Sequence, residues 1–411
     1  MKYLILVGDG MGDYPIESLG NKTPLEYAQT PNMDFLAKNG KLGLVRTIPE
    51  GLSPASDVAN LAIFGYDPKV YYSGRGPFEA ANLGVALKDD EVVFRCNLIT
   101  AGTAWAMGSP TTALWSADKL IDYSAGHIST KEAKVLIEFL DEKLGSPELK
   151  FYPGVSYRHL AVVKAKGLTA RCVPPHDITG REFKKYLPKG PDAQFLVSLM
   201  RESAKILAEH EVNQVRIDLK ENPANMIWLW GQGKRPSLVS FKDKYGISGS
   251  VISAVDLIKG IGRIAGLEVL NVPGATGYYD TNYRGKAEAA VAALKTKDLV
   301  YLHVEAPDEA SHNGNMQEKI LAIERFDQLV VGTILEALKK NGDFRILLLP
   351  DHATPLALRT HTADSVCFAM YGKGISACGL EGFNEAEAKK SGIFLDQPHI
   401  LMDRLIKEEE I

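Results

Sequence analysis

Lys2-Tyr3-Leu4-Ile5-Leu6-Val7-Gly8-Asp9 is an apolar run that ends on a carboxylate. Two later stretches have the same form: Leu299-Val300-Tyr301-Leu302-His303-Val304, running on to Asp308, and Phe344-Arg345-Ile346-Leu347-Leu348-Leu349-Pro350-Asp351-His352. Near-continuous apolar runs of this length predict strands buried on both faces of a parallel sheet. Ligands of such sheets bind in the crevice beyond the carboxyl ends of the strands. Three aspartates delivered there, with His312, His352 and His361 close by in sequence, predict a metal site.

The 411 residues exceed what one hydrophobic core usually holds, so two domains are expected. Apolar content of 45% and charged content of 24% are ordinary for a globular chain. A net charge of −4 carries no basic excess, so no nucleic-acid partner is expected, and any anionic substrate must meet a local cluster of Arg and Lys. Cys96, Cys172, Cys367 and Cys378 form no Cys-x-x-Cys pair and read as reduced, buried thiols. The first apolar run is too short for a signal peptide and no later run reaches membrane-spanning length. A cytoplasmic protein away from membranes is the expectation.

From residue 1 to about 87 the pattern is strand, loop, helix. Thr30 caps a helix, Pro31 takes its first position and Asn39-Gly40 closes it. Residues 88–225 differ, with charged turns such as Lys88-Asp89-Asp90-Glu91, β-like runs at Val92 to Cys96 and His159 to Val163, and helical periodicity at Thr130 to Leu144 and Phe195 to His210. Strand–helix alternation resumes after Ile227-Trp228-Leu229-Trp230, with helical patterns at Val251 to Ala265, Ala287 to Leu294 and Met316 to Lys340. The last of these places Ile320, Ile323, Val330, Ile334 and Leu338 on one face with a single register skip. The reading is an α/β domain of residues 1–87 and 226–411, with an α+β cap of residues 88–225 inserted into it.

Asp308 and His312 stand four apart, Asp351 and His352 are adjacent, and His361 follows in Thr360-His361-Thr362. Mixed carboxylate and imidazole donors suit Mn²⁺ or Zn²⁺ better than Mg²⁺ alone or a structural zinc. Six such ligands can hold two ions about 3.5–4 Å apart, as phosphotransfer sites do. Singly, an aspartate at a strand end is often a helix cap and a histidine beside a strand a core residue; it is the joint pattern that points to metal. His303, in mid-strand, reads as core or as support behind the ligands. In Ser53-Pro54-Ala55-Ser56-Asp57-Val58-Ala59-Asn60, a serine opens a helix, where backbone N–H groups and the helix dipole favour an alkoxide or a phosphate. Ser56 is the candidate nucleophile, with a metal ion lowering the hydroxyl pKa; a simple N-cap at Ser53 or Ser56 is the alternative.

Val7-Gly8-Asp9-Gly10, Ala55-Ser56-Asp57-Val58, Pro307-Asp308 with His312, Pro350-Asp351-His352 and Thr360-His361-Thr362 occur in the order seen in the alkaline phosphatase superfamily. Over essentially its full length the chain resembles, more narrowly, the archaeal-type cofactor-independent phosphoglycerate mutases. Ser73-Gly74-Arg75-Gly76-Pro77, Asp122-Tyr123-Ser124-Ala125-Gly126-His127-Ile128 and Pro273-Gly274-Ala275-Thr276-Gly277 carry that closer likeness. The resemblance implies an alkaline-phosphatase-like three-layer α/β/α domain with a mostly parallel sheet. It implies two divalent ions, Mn²⁺ first with Zn²⁺, Co²⁺ or Mg²⁺ as alternatives, and no bisphosphoglycerate. Asp308, His312 and His361 would hold one ion; Asp9, Ser56, Asp351 and His352 the other. Ser56 would take the phosphoryl group as phosphoserine and return it to the other hydroxyl of the glycerate, interconverting 2- and 3-phosphoglycerate. Lys244 matches a lysine that supports charge on the transferring group. In the cap, His127 is a candidate for proton shuttling or phosphate contact and Arg158 for a carboxylate clamp; Arg75, Arg171 and Arg181 are further candidates for substrate. The segment after Ser56 and the shorter cap depart from the longer bacterial-type mutases.

The competing readings share the metal residues. A phosphatase would use the same serine but admit water, and another phosphotransferase, such as a homoserine-kinase-like relative, would act on a different small hydroxy acid. No Walker-type glycine loop supports ATP use. The small-molecule phosphoglycerate is the expected partner, and a homo-oligomer is compatible with the sequence.

Overall fold

The computed structural model describes residues 1–102, 119–165, 168–339 and 342–407. The chain forms two compact units, Met1–Tyr72 with Ser237–Ile411, and Ser73–Pro236. The divisions fall near residues 73 and 236 rather than at 88 and 225. Two elements account for the difference. The helix Gly76–Asn82 places Ala80 against Val93, Leu160 and Val162, and the strand Met226–Gly233 pairs with the smaller unit's central strand.

In chain order the strands are β1 (Lys2–Gly8) and β2 (Lys41–Val45); β3 (Glu91–Gly102), β4 (Lys119–Asp122), β5 (Leu149–Tyr152), β6 (Arg158–Lys164) and β7 (Met226–Gly233); then β8 (Gly249–Ile252), β9 (Glu268–Val269), β10 (Leu299–Val304), β11 (Phe344–Leu349), β12 (Val366–Gly372) and β13 (Phe394–Leu395). The larger unit holds one sheet in the order β13-β2-β12-β11-β1-β10-β8-β9. Every pairing is parallel except the two made by β12. The three apolar runs are therefore the neighbours β10, β1 and β11, and each is buried almost throughout.

Alternation along these strands builds three layers. Leu4, Leu6, Val300, Leu302, Ile346 and Leu348 share one core with Met33, Leu36, Ala287, Ile323 and Ile334 from helices on one face. On the other, Tyr301 stacks on Phe64 with ring centroids 3.9 Å apart, and Tyr3 Oη donates to Ile406 O in the last helix. The long amphipathic stretch has a physical cause for its register skip. Met316–Arg325 and Thr333–Leu338 are α-helical, and Phe326–Gly332 between them is a π-helical segment. The wider turn rotates the apolar stripe back onto the sheet. Lys340, the expected end of this stretch, lies outside the described residues. Val251 and Ile252, read as helical, belong to β8; the helix is Asp256–Ile264.

The smaller unit is an antiparallel sheet, β4-β3-β6-β5 with β7 also on β3. The helices Thr130–Leu144 and Ala193–Ala208 cover it, bringing Leu136, Ile137, Leu140, Leu196, Met200 and Leu207 onto Phe94, Cys96 and Trp228. It is the α+β unit that the texture of the middle of the chain predicts.

Candidate metal centre and nucleophile

Register sets the site. Val7 is level with His303 on one side and Leu349 on the other, so Asp9 and Asp351 emerge side by side two residues later. Gly10, with φ of +63°, turns the chain so that its N–H donates to Asp351 Oδ1 at 3.2 Å. A Cβ there would meet Asp308 and Thr354 at under 3 Å, so only glycine fits. Asp308 lies in the helix Ala306–His312 that follows β10, and His312 is one turn further on the same face.

Around Asp308 the imidazoles converge. His312 Nε2 is 3.2 Å from Asp308 Oδ2, His361 Nε2 is 3.5 Å from Asp308 Oδ1, and the two Nε2 atoms are 3.0 Å apart. The Nδ1 of His312 faces the Arg359 carbonyl at 3.0 Å, and Arg359 adopts a left-handed φ of +55°. That strained backbone aims a carbonyl at the ring, leaving Nε2 for a ligand. A second group joins Asp9 to His303 and Asp351, and a third joins Asp9 to Asp308 and His352. His303 Nε2 lies 3.0 Å from Asp9 Oδ2, and His352 Nε2 lies 3.5 Å from both Asp9 and Asp351.

Ser56 is the first residue of the helix Ser56–Ile63, and its Oγ stands 3.1 Å from His352 Nε2. Asn60, one turn along, holds this helix to the sheet. Its Nδ2 donates to Ser56 O at 2.9 Å and to Asp351 Oδ2 at 2.7 Å, and its Oδ1 accepts from Tyr301 Oη.

The electrostatics call for cations. Burial, with the Asp351 and Asp308 carboxylates beside it, pushes Asp9 well above the usual carboxylate range. Burial also raises Asp351. It lowers His303 to about 4 and drives His352 far down, so both rings are neutral, the form that binds metal. Burial opposes the charge on Asp308, but His361 and His312 hold it well below the usual range. His312 resists burial through Asp308 and the Arg359 carbonyl and rises to about 9. Among the described residues, Asp9 Oδ1 and His303 Nε2 are buried without a hydrogen-bond partner. Three carboxylates and four imidazoles with orphaned donor atoms pointing among them fit divalent ions.

The structure brings Asp9, Ser56, Asp308, His312, Asp351, His352 and His361 together. The Lys244 ammonium donates to Gly65 O, two residues past the helix Ser56–Ile63, and lies over the rings of Tyr66 and Tyr245. Burial lowers its pKa. In the smaller unit, Arg75 Nε donates to Glu79 Oε1 at 2.8 Å, the buried Arg95 donates to the same oxygen, and both guanidiniums lie over the Trp230 ring. Arg158 lies over Tyr157 and adds its field to Glu79, which Arg95 and Arg75 keep ionised against burial. Arg171 and Arg181 are exposed, and Arg181 Nη1 reaches Tyr186 Oη at 3.5 Å. His127 has a left-handed φ of +51° in a turn organised by Asp122, on a cleft of about 440 Å³ shared with Arg216, Lys220 and Asn222.

His303, read as core or as support behind the ligands, stands 3.0 Å from Asp9 Oδ2. Four residues were missed. Tyr301 shares a strand face with His303 at a spacing of two, Asn60 is one turn from Ser56, and Thr354 is two residues from His352; these spacings were the available signal. Lys319, buried in mid-helix, had none.

The sequence profile of the 2,3-bisphosphoglycerate-independent phosphoglycerate mutase family matches residues 37–213. A phosphoglycerate mutase of that description from Methanosarcina barkeri is 51% identical over 99% of this chain and 100% of its own. Among solved structures, a Pyrococcus horikoshii protein is similar at a TM-score of 0.80 and 30% identity, covering 100% of this chain and 98% of that one. A cofactor-independent phosphoglycerate mutase from Thermoplasma acidophilum gives a TM-score of 0.63 at 28% identity, with 99% and 100% covered.

Proposed function

The chain belongs to the 2,3-bisphosphoglycerate-independent phosphoglycerate mutases, isomerases that interconvert 2- and 3-phosphoglycerate in glycolysis, and from that membership we propose how its own residues carry the reaction. Ser56 is the group that accepts and returns the phosphoryl. The observation that carries this is its place at a helix start, with Oγ 3.1 Å from His352 Nε2 and the carboxylate–imidazole cluster beside it.

Asp308, His312 and His361 form one ligand group for a divalent ion. Asp9, Asp351, His352 and Ser56 form the other, with His303 behind or among them. Bound ions would lower the Ser56 hydroxyl pKa and neutralise charge on the phosphoryl oxygens. Mixed O and N donors favour Mn²⁺, with Zn²⁺, Co²⁺ or Mg²⁺ as alternatives. The helix N-terminus at Ser56 presents backbone N–H groups to the transferred phosphoryl. Asn60 keeps Ser56 and Asp351 in register while the glycerate exchanges one hydroxyl for the other. Arg75 and Arg158 are the proposed contacts to substrate anions, His127 a proposed polar contact, and the exposed Arg171 and Arg181 further candidates. Lys244, matched by the resemblance, is a proposed support for charge on the transferring group. Four free cysteines fit a reducing compartment, and a cytoplasmic location goes with the same reading.

The test is phosphorus NMR on 3-phosphoglycerate with Mn²⁺-loaded protein and no bisphosphoglycerate, followed by acid quenching and peptide mapping. A growing 2-phosphoglycerate resonance with phosphate on the Ser56 peptide is expected. Turnover without label on that peptide would overturn the Ser56 assignment, and free phosphate alone would make the protein a phosphatase.

A further inference from the structure

Thr354 is completely buried two residues beyond His352. Its Oγ1 lies 2.6 Å from Asp308 Oδ1 and 3.1 Å from His352 Nδ1. It thus touches one member of each proposed ligand group. Its backbone is fixed as well: the N–H donates to Gly12 O at 3.1 Å and the carbonyl accepts from Lys319 Nζ at 3.0 Å.

A hydroxyl has a single proton to give. The short contact to the Asp308 carboxylate oxygen, at 2.6 Å, takes that proton. The same oxygen can then only accept from His352, which places a hydrogen on Nδ1 and leaves the Nε2 lone pair directed toward Ser56, Asp9 and Asp351. We infer that Thr354 is a positioning residue that sets the His352 tautomer and links the two metal sites. Its hydroxyl transmits the placement of Asp308 in one group to the imidazole of the other. The inference rests on the metal reading above, and it deepens that reading by assigning the linkage to one side chain.

The linkage is separable from bulk, because valine keeps the shape of threonine without the hydroxyl and serine keeps the hydroxyl without the methyl. Outer partners of this kind are worth about 10–100-fold in metal affinity. The experiment is calorimetric titration of metal-free protein with Mn²⁺, without substrate. Wild type should take up two equivalents, Thr354→Val should bind at least one of them about 10–100-fold more weakly, and Thr354→Ser should stay near wild type. Wild-type affinity for both ions in Thr354→Val, or equal weakening in Thr354→Ser, would overturn the linkage. Failure of the wild type to take up Mn²⁺ would instead remove the metal reading beneath it. Nitrogen NMR of histidine-labelled, metal-free wild type gives a check that needs no variant. His352 should carry its proton on Nδ1, and an Nε2-protonated ring would overturn the assignment.

Discussion

Ser56 Oγ and His352 Nε2 are 3.1 Å apart, although 296 residues separate them in sequence. The serine is held there by Asn60 and the imidazole by Thr354, so both partners are fixed before substrate arrives. Ser56→Ala removes the nucleophile without disturbing the apolar face of its helix. Mutase activity should fall to background while thermal stability stays within about 1 kcal/mol of wild type. Activity assays beside a melting curve check this, and a variant retaining a tenth of wild-type turnover would rule out transfer through this residue.

His361 meets Asp308 and His312 at the half-buried rim of the cluster, and its ring lies 4.0 Å from that of His352. His361→Ala should therefore lose about one equivalent of bound Mn²⁺ while the other ion, held by deeper ligands, remains. Elemental analysis after gel filtration measures it; unchanged stoichiometry would place His361 outside the ligand set.

Lys319 is fully buried and spends its three protons on Asp13 Oδ2 at 2.8 Å, Gly12 O at 3.2 Å and Thr354 O at 3.0 Å. It ties the turn after β1 to the loop after β11. Lys319→Met strands the Asp13 carboxylate in the interior and should cost about 3–5 kcal/mol. Adding Asp13→Asn should recover part of that loss. Urea unfolding of the two variants decides it, and an undiminished Lys319→Met midpoint would mean the pair is idle.

His159, in β6, accepts from the Gly154 N–H through Nδ1, and its Nε2 is buried without a hydrogen-bond partner among the described residues. Burial and the nearby Arg95 lower its pKa to about 3. The unfolded chain, with an ordinary histidine near pH 6.5, therefore binds more protons than the folded one between these values. The stabilisation is complete above about pH 6.5 and is lost as the pH falls toward 3. Between pH 7 and 4.5 this group should cost the smaller unit about 2–3 kcal/mol. Unfolding curves across that range should steepen less in His159→Gln, and identical slopes would assign the acid sensitivity elsewhere.

The parts of this protein that could be read in one dimension are those whose chemistry repeats locally. β1, β10 and β11 announce themselves because a strand buried on both faces must be apolar throughout, and the aspartates after them mark the ligand end of a parallel sheet. The boundary of the inserted unit was misplaced because β7 carries the same apolar texture as a strand of the large sheet; only its pairing with β3 decides its membership. Asn60 and Thr354 stand at telling spacings from Ser56 and His352, but their contacts to Asp351 and Asp308 cross 291 and 46 residues, and no local pattern encodes those partners.

The placement of β1 at the middle of the large sheet also sets an order of assembly. Its neighbours β10 and β11 come from the last third of the chain, so the first strand to leave the ribosome stays unpaired until residue 304 of 411 has been made. The inserted unit, whose five strands among the described residues all lie between residues 91 and 233, has those strands' partners well before. Sequence-distant pairing of this kind is slow. The inner unit is thus finished first, and the catalytic sheet closes around a chain that already carries a folded domain in its interior.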